Sequence, residues 1–197
     1  SRAIADAAGQ IDELTRAVRK FDLQPEVLFL TPQSLEEIER NVLEVGRAIG
    51  RVEQADALLQ SNRERLARVR AAVVGAPQRR VVFLEWTDPP FCGGHWVPQM
   101  IELAGGNDPL GRPGRDSVRI EWDDVVAAKP ELIIASPCGY RLERAIELAH
   151  ALPRVPGAEV YAVDANAYFA RPGPRVVEGI ELLAHLFHPT LAAWTPA

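Results

Sequence analysis

From Pro77 onward the chain alternates three times between a short apolar run and a helix-like segment. Val81–Glu85 precedes Val97–Ala104, Leu132–Ser136 precedes Arg141–Leu152, and Val160–Val163 precedes Pro174–Phe187. A strand that is followed by a helix and then by another strand returns through a crossover, and crossovers make parallel pairs. The pattern therefore predicts an α/β fold, a mostly parallel sheet flanked by helices on both faces. A further short helix is expected over Trp122–Ala128, and Gly105-Gly106 supplies a stop for the helix before it.

Parallel strands deliver the loops after them to one edge of the sheet, where α/β proteins gather ligand groups. The first such loop, Glu85 to Trp96, carries Trp86, Phe91, Cys92, His95 and Trp96. The second offers Pro137, Cys138, Gly139 and Tyr140, and the third, read as a long loop from Asp164 to Arg175, offers Asn166, Tyr168, Phe169 and Arg171. Large aromatic side chains are costly to leave in water. Either they pack beneath their loops or they form a stacking platform for a flat, partly polar ligand. Trp86 and Phe91 could equally cap the sheet as core residues, His95 could be a hydrogen-bonded structural residue, and Arg175 could simply pair with a carboxylate.

The first part of the chain reads as helical with one strand. Ile4, Ala8, Ile11, Leu14 and Val18 lie at helical spacing over Arg2–Lys20. Glu26–Thr31 reads as a short buried strand. Ser34 and Glu37 form a capping-box pattern that opens a helix running to about Ile49. A second helix follows from Val52 to about Val73, amphipathic and roughly 33 Å long, a spine laid across a domain. The expected organisation is thus residues 1–33, a helical segment over 34–76, and an α/β lobe over 77–197.

Several function classes are disfavoured. A net charge of −5 argues against nonspecific nucleic-acid binding. No apolar run approaches a membrane span, and Ser1–Gln10 lacks the basic start and apolar block of a secretory signal, so the chain as given reads as cytoplasmic, or as periplasmic if a signal has been removed. The two cysteines, Cys92 and Cys138, form no C-x-x-C, and His185 with His188 lacks a third ligand, so no metal site is expected. Cys92 with His95 could serve as nucleophile and base, but no third orienting group stands near them in sequence. There is no G-x-S-x-G turn and no phosphate-binding loop. A further alternative is an interaction module that offers the long amphipathic helix to a protein partner.

Motifs spread from Arg80 to Pro189 carry a family resemblance. They are Asp88-Pro89-Pro90-Phe91 with Gly94 behind it, Leu103-Ala104-Gly105-Gly106, Trp122-Asp123-Asp124-Val125 before Lys129-Pro130-Glu131-Leu132-Ile133, and Tyr168-Phe169 with Arg171-Pro172-Gly173-Pro174-Arg175. This region resembles the C-terminal lobe of the helical-backbone class of periplasmic binding proteins. Within that class it is similar to the cobalamin-binding proteins of ABC importers. The helix Val52–Val73 resembles the backbone helix that links two lobes. The resemblance implies a non-catalytic carrier without a catalytic cofactor, holding cobalamin or a related corrinoid or metal chelate and docking on an ABC permease. Phe91, Tyr168 and Arg171 fall where such proteins touch the corrin ring, and Asp123 where an acidic residue meets arginines of the permease. Trp86, His95, Trp96, Cys138 and Phe169 complete the expected ligand face. Ala167 stands where cobalamin binders carry an Asp, and Ser117 stands near the place of a corrinoid-contacting Trp. The family has a whole lobe ahead of the backbone helix, so residues 1–33 read as a remnant of it. A lone lobe exposing aromatic rings is expected to self-associate or to hold its ligand weakly.

Overall fold

The computed structural model describes Arg16 and residues 27–194. The chain divides into two compact units, Ser1–Leu30 and Thr31–Ala197. Of the first unit, Arg16 is helical and the rest of the helix expected over Arg2–Lys20 lies outside the described residues. The strand expected over Glu26–Thr31 is corrected where it can be seen. Val27, Leu28, Phe29 and Leu30 have no regular structure and are exposed, Phe29 by 56%. A strand exists only through a neighbour's hydrogen bonds, and no described strand pairs with this run.

The second unit opens with helix α1, Leu35–Ala48. Its start follows the capping pattern, with Ser34 Oγ accepting the Glu37 amide at 3.2 Å and the Glu37 carboxylate accepting the Gln33 amide at 2.6 Å. Helix α2, Val52–Val73, is the long spine. Its apolar face (Ala55, Leu59, Val69) is buried against its neighbours, so that stripe is not free to dock a protein partner.

Strand β1, Arg79–Thr87, is the centre of the sheet. It is followed by β2, Pro90–Cys92; helix α3, Val97–Leu103; a two-residue β3, Gly106–Asn107; helix α4, Trp122–Ala127; and strand β4, Leu132–Ala135. Helix α5, Leu142–His150, strand β5, Glu159–Ala162, the single turn α6, Ala165–Tyr168, and helix α7, Val176–Phe187, complete the described elements. β1, β4 and β5 pair in parallel, Val81 facing Leu132 and Ile133 facing Val160. β1 and β4 are buried at consecutive positions, as a sheet covered on both faces requires. Val81, Phe83, Leu132 and Ile134 pack toward α2, α3 and α7. Val82, Leu84 and Ile133 pack toward Val125 of α4 and Val155.

Two expected loops contain regular structure. The aromatic loop folds back as β2, antiparallel to β1, so the sheet is mixed rather than wholly parallel. The third loop holds α6, with Asp164 Oδ1 capping its turn by accepting the Ala167 amide at 2.8 Å. The outer edge of β1 is shared by three partners: β3 at Arg79 and Arg80, β2 from Leu84 to Thr87, and between them the Asp108 carboxylate, which accepts the Phe83 amide at 3.1 Å.

Candidate functional site

The site grows from an irregularity in β1. The register with β2 shifts between Leu84 and Trp86, leaving Glu85 as an extra residue. In a regular strand, neighbours point to opposite faces; a bulge re-aims one of them. Here Glu85 and Trp86, adjacent in sequence, both line one cavity. Trp86 pairs with Phe91 across the β1–β2 ladder, and both line the cavity. The segment after Ser117 runs along β2, with the Cys92 amide bonded to the Val118 carbonyl and Phe91 bridging Arg119. Cys138 closes the far side, its amide donating to the Glu85 carbonyl at 2.9 Å. The result is an open cavity of about 380 Å³ lined by Glu85, Trp86, Phe91, Ser117 and Cys138.

The loops after β1, β4 and β5 meet at this edge. Trp86 stacks on Tyr140, with ring centroids 5.5 Å apart, and the Arg144 guanidinium lies 6.0 Å from the Tyr140 ring. Asn166 binds the second loop twice, its amide to the Tyr140 carbonyl at 3.4 Å and its side chain to the Gly139 carbonyl at 2.9 Å. Trp96 Nε1–H donates to the Phe169 carbonyl at 3.2 Å, joining the first loop to the third.

The sequence-derived residues separate into three groups. Trp86, Phe91 and Cys138 stand on the cavity wall. Trp96 and Phe169, 8% and 3% exposed, lie in the core rather than on the wall; Phe169 packs edge-on against Phe83 at 5.3 Å. His95 is also off the wall. It takes φ +53°, its amide donates to the Arg115 carbonyl at 2.7 Å, and its ring lies 3.4 Å from the Asp116 carboxylate. It thereby fastens the 112–116 segment to the start of α3. Tyr168 is half-buried, held edge-on to Phe169 and Trp194, with the Arg175 guanidinium 4.7 Å from its ring. Arg175 also pairs with Glu178. Arg171 is exposed and has no ion pair or side-chain hydrogen bond among the described residues.

Two wall residues, Glu85 and Ser117, were not expected. Glu85 Oε1 accepts the Gly94 amide at 2.7 Å, and burial raises its carboxyl above the usual range despite that bond and the nearby His95. Gly94 has no room for a side chain: a Cβ there would stand 2.4 Å from the Ser117 amide nitrogen. Only the Gly at position 94 hints at this in sequence.

The thiols do not favour nucleophilic chemistry. Cys92 is buried and desolvation raises its pKa. Cys138 is pushed up to about 11, chiefly by desolvation and further by the Glu85 charge. Thiols of this kind remain protonated near neutrality. Among the described residues no group of three His, Cys, Asp or Glu could hold a metal ion. Away from the cavity, Asp124 completes a reciprocal capping box with Glu121 at the start of α4, while Asp123 beside it is exposed.

Residues 5–155 match the family model described as periplasmic binding protein. No curated protein sequence matches the chain. Among solved structures, a periplasmic binding protein from Veillonella parvula is similar at 22% identity and TM-score 0.67, over 79% of this chain and 57% of that one. The periplasmic vitamin B12 binding protein of Vibrio cholerae is similar at 18% identity and TM-score 0.63, over 88% and 69% of the two chains. A periplasmic heme binding protein from Pseudomonas aeruginosa is similar at 18% identity and TM-score 0.69, over 94% and 70%. At such identities the likeness is one of fold. The chain spans little more than half of the Veillonella protein's length.

Proposed function

Because the chain belongs to the periplasmic binding protein family, we propose that it is a substrate-binding component of an ABC importer that carries a corrinoid-type ligand without transforming it. The observation that carries this reading is the cavity at the sheet edge, lined by the cross-strand partners Trp86 and Phe91 together with Cys138. A flat macrocycle lies against such rings by dispersion, and its peripheral amides meet polar groups on the wall. Each stacking contact contributes roughly 0.5–1.5 kcal/mol and each net hydrogen bond about as much. Tyr168 and Arg171 belong to the third loop, which Asn166 ties to the cavity's rim; in this reading the Arg171 guanidinium, without an ion pair among the described residues, reaches the ligand's outer groups. Trp96, Phe169 and His95 act beneath the wall, holding the loops that present it.

The reading extends to the surroundings. Residues 34–76 serve as the helical backbone and 77–197 as the ligand-bearing lobe, working outside the cytoplasmic membrane. No helix among the described residues is long and apolar enough to cross a membrane. Asp123, exposed in the first turn of α4, is the contact for permease arginines. Calorimetric titration with cobalamin and cobinamide tests the proposal: saturable binding at a 1:1 ratio is expected, weakened at least about tenfold by Trp86→Ala. Absence of heat with both corrinoids at millimolar concentration would refute it.

A further inference from the structure

The cavity wall has one feature that stacking does not explain. Of the five described residues that line it, Trp86, Phe91, Ser117 and Cys138 bring rings, a hydroxyl and a protonated thiol, and Glu85 brings the one carboxyl among them. Among the described residues no Lys, Arg or His lines it. A carboxyl in a mostly apolar recess is unfavourable unless donors reach it. The bulge in β1 is what turns Glu85 inward beside Trp86.

The donors that reach Glu85 are few. The Gly94 amide serves Oε1 at 2.7 Å. Ser117 Oγ lies close by, but its one proton can serve one acceptor, and the Cys92 carbonyl takes it at 2.7 Å. A carboxylate has about four lone-pair sites, so acceptor capacity remains on a residue that lines the cavity.

We infer that Glu85 sets the chemical class of the ligand: the cavity accepts a flat guest whose edge presents hydrogen-bond donors or positive charge, such as amide or ammonium groups, and rejects one whose edge presents carboxylates. This rests on the ligand-carrier reading above and sharpens it. A buried carboxylate gains a charge-assisted hydrogen bond from such a donor. An anionic edge against Glu85 meets like charge where no cation among the described residues lines the wall, Arg171 standing out on the third loop, and discrimination by an unfavourable contact is as effective as discrimination by a favourable one. Glu85 is thus a specificity residue, separate from the rings that supply stacking.

Two pairs of probes test this, read by quenching of tryptophan fluorescence. The first pair is cobinamide, with amides around the corrin, and cobyrinic acid, with carboxylates at the same places. The second pair does not depend on the corrinoid reading: tetrakis(N-methylpyridinium)porphyrin against tetrakis(sulfonatophenyl)porphyrin, flat rings with cationic and anionic edges. The native protein is expected to favour the cationic porphyrin at least about thirtyfold, and Glu85→Gln to shrink that preference at least about tenfold. Glu85→Asp is expected to retain most of it. Gln keeps an oxygen for the Gly94 amide, and an unchanged thermal melt would establish that the fold is intact. An unaltered preference in Glu85→Gln, a native preference for the anionic porphyrin, or binding of neither porphyrin would overturn the inference. If cobinamide fails to bind while the cationic porphyrin binds in a Glu85-dependent way, the corrinoid reading falls and this inference stands.

Discussion

Trp86 and Tyr140 stack with ring centroids 5.5 Å apart and planes inclined by 26°, joining the end of β1 to the loop after β4. Trp86 is also a wall of the cavity, so one residue both lines that cavity and braces the neighbouring loop. The stacked pair adds a side-chain link to the backbone bond by which the Cys138 amide already reaches the Glu85 carbonyl.

Trp86→Leu and Tyr140→Leu should therefore be coupled. A double-mutant cycle by chemical denaturation is expected to return an interaction of about 0.5–1.5 kcal/mol. Simple additivity would show that the two loops are held together by other contacts, with the Cys138 amide on the Glu85 carbonyl the first candidate.

Trp96 and Trp86 belong to one loop but differ in what their loss should do. Trp96 is 8% exposed and spends its indole N–H on the Phe169 carbonyl. Trp96→Ala is expected to cost about 3–5 kcal/mol of stability. Trp86→Ala should cost much less stability and should instead weaken ligand binding. Equal destabilisation by the two, measured by denaturant unfolding, would contradict the division between core and wall.

Gly94→Ala is expected to destabilise the protein, although one methyl is added. The new Cβ would meet backbone, 2.4 Å from the Ser117 nitrogen and 2.8 Å from the Arg115 carbonyl oxygen, and neither atom is the end of a flexible side chain. A cost of about 1–3 kcal/mol is expected. Ser117 and the Glu85 carboxylate sit at that contact, so ligand affinity should fall as well. A melting temperature and affinity equal to the native protein's would count against the described approach of the two loops.

Asp108 gives the fold a pH dependence of known sign. Burial pushes its carboxyl up to about 6, above its ordinary value of 3.8, against the opposing effect of the Phe83 and Leu110 amides. A group whose folded-state pKa is raised contributes stability in full below its unfolded value and loses it as pH rises through the folded value. The native protein should therefore gain stability relative to Asp108→Asn as pH falls from 7 to 4, by at most about 3 kcal/mol. Parallel stability curves for the two proteins over that range would contradict this assignment.

The sheet was legible because its strands announce themselves. Val81 to Leu84 and Leu132 to Ala135 are apolar at every position, which is the pattern of strands covered on both faces. The starts and stops of helices were legible through local chemistry, as at Ser34 with Glu37 and at Gly105, which takes φ +85°. The site was less so, because its decisive features are relations between distant segments. The bulge at Glu85 exists only in register with β2. Trp86 and Trp96 are the same residue type in one loop, and tertiary packing alone decides that one lines the cavity and the other joins the core. Val27–Leu30 is as apolar as a strand, but sequence does not say whether a partner edge is present.

The proposed carrier role requires that the aromatic loop of β1 and the loop of β4 offer a common face to a flat guest. A crystal structure of the protein grown with cobinamide tests it directly. The corrin ring is expected against Trp86 and Phe91, with a peripheral amide on the Glu85 carboxylate and Cys138 beside the macrocycle. A corrin bound on another face, or a fully occupied crystal in which Trp86 and Phe91 pack on each other and leave no opening, would contradict it.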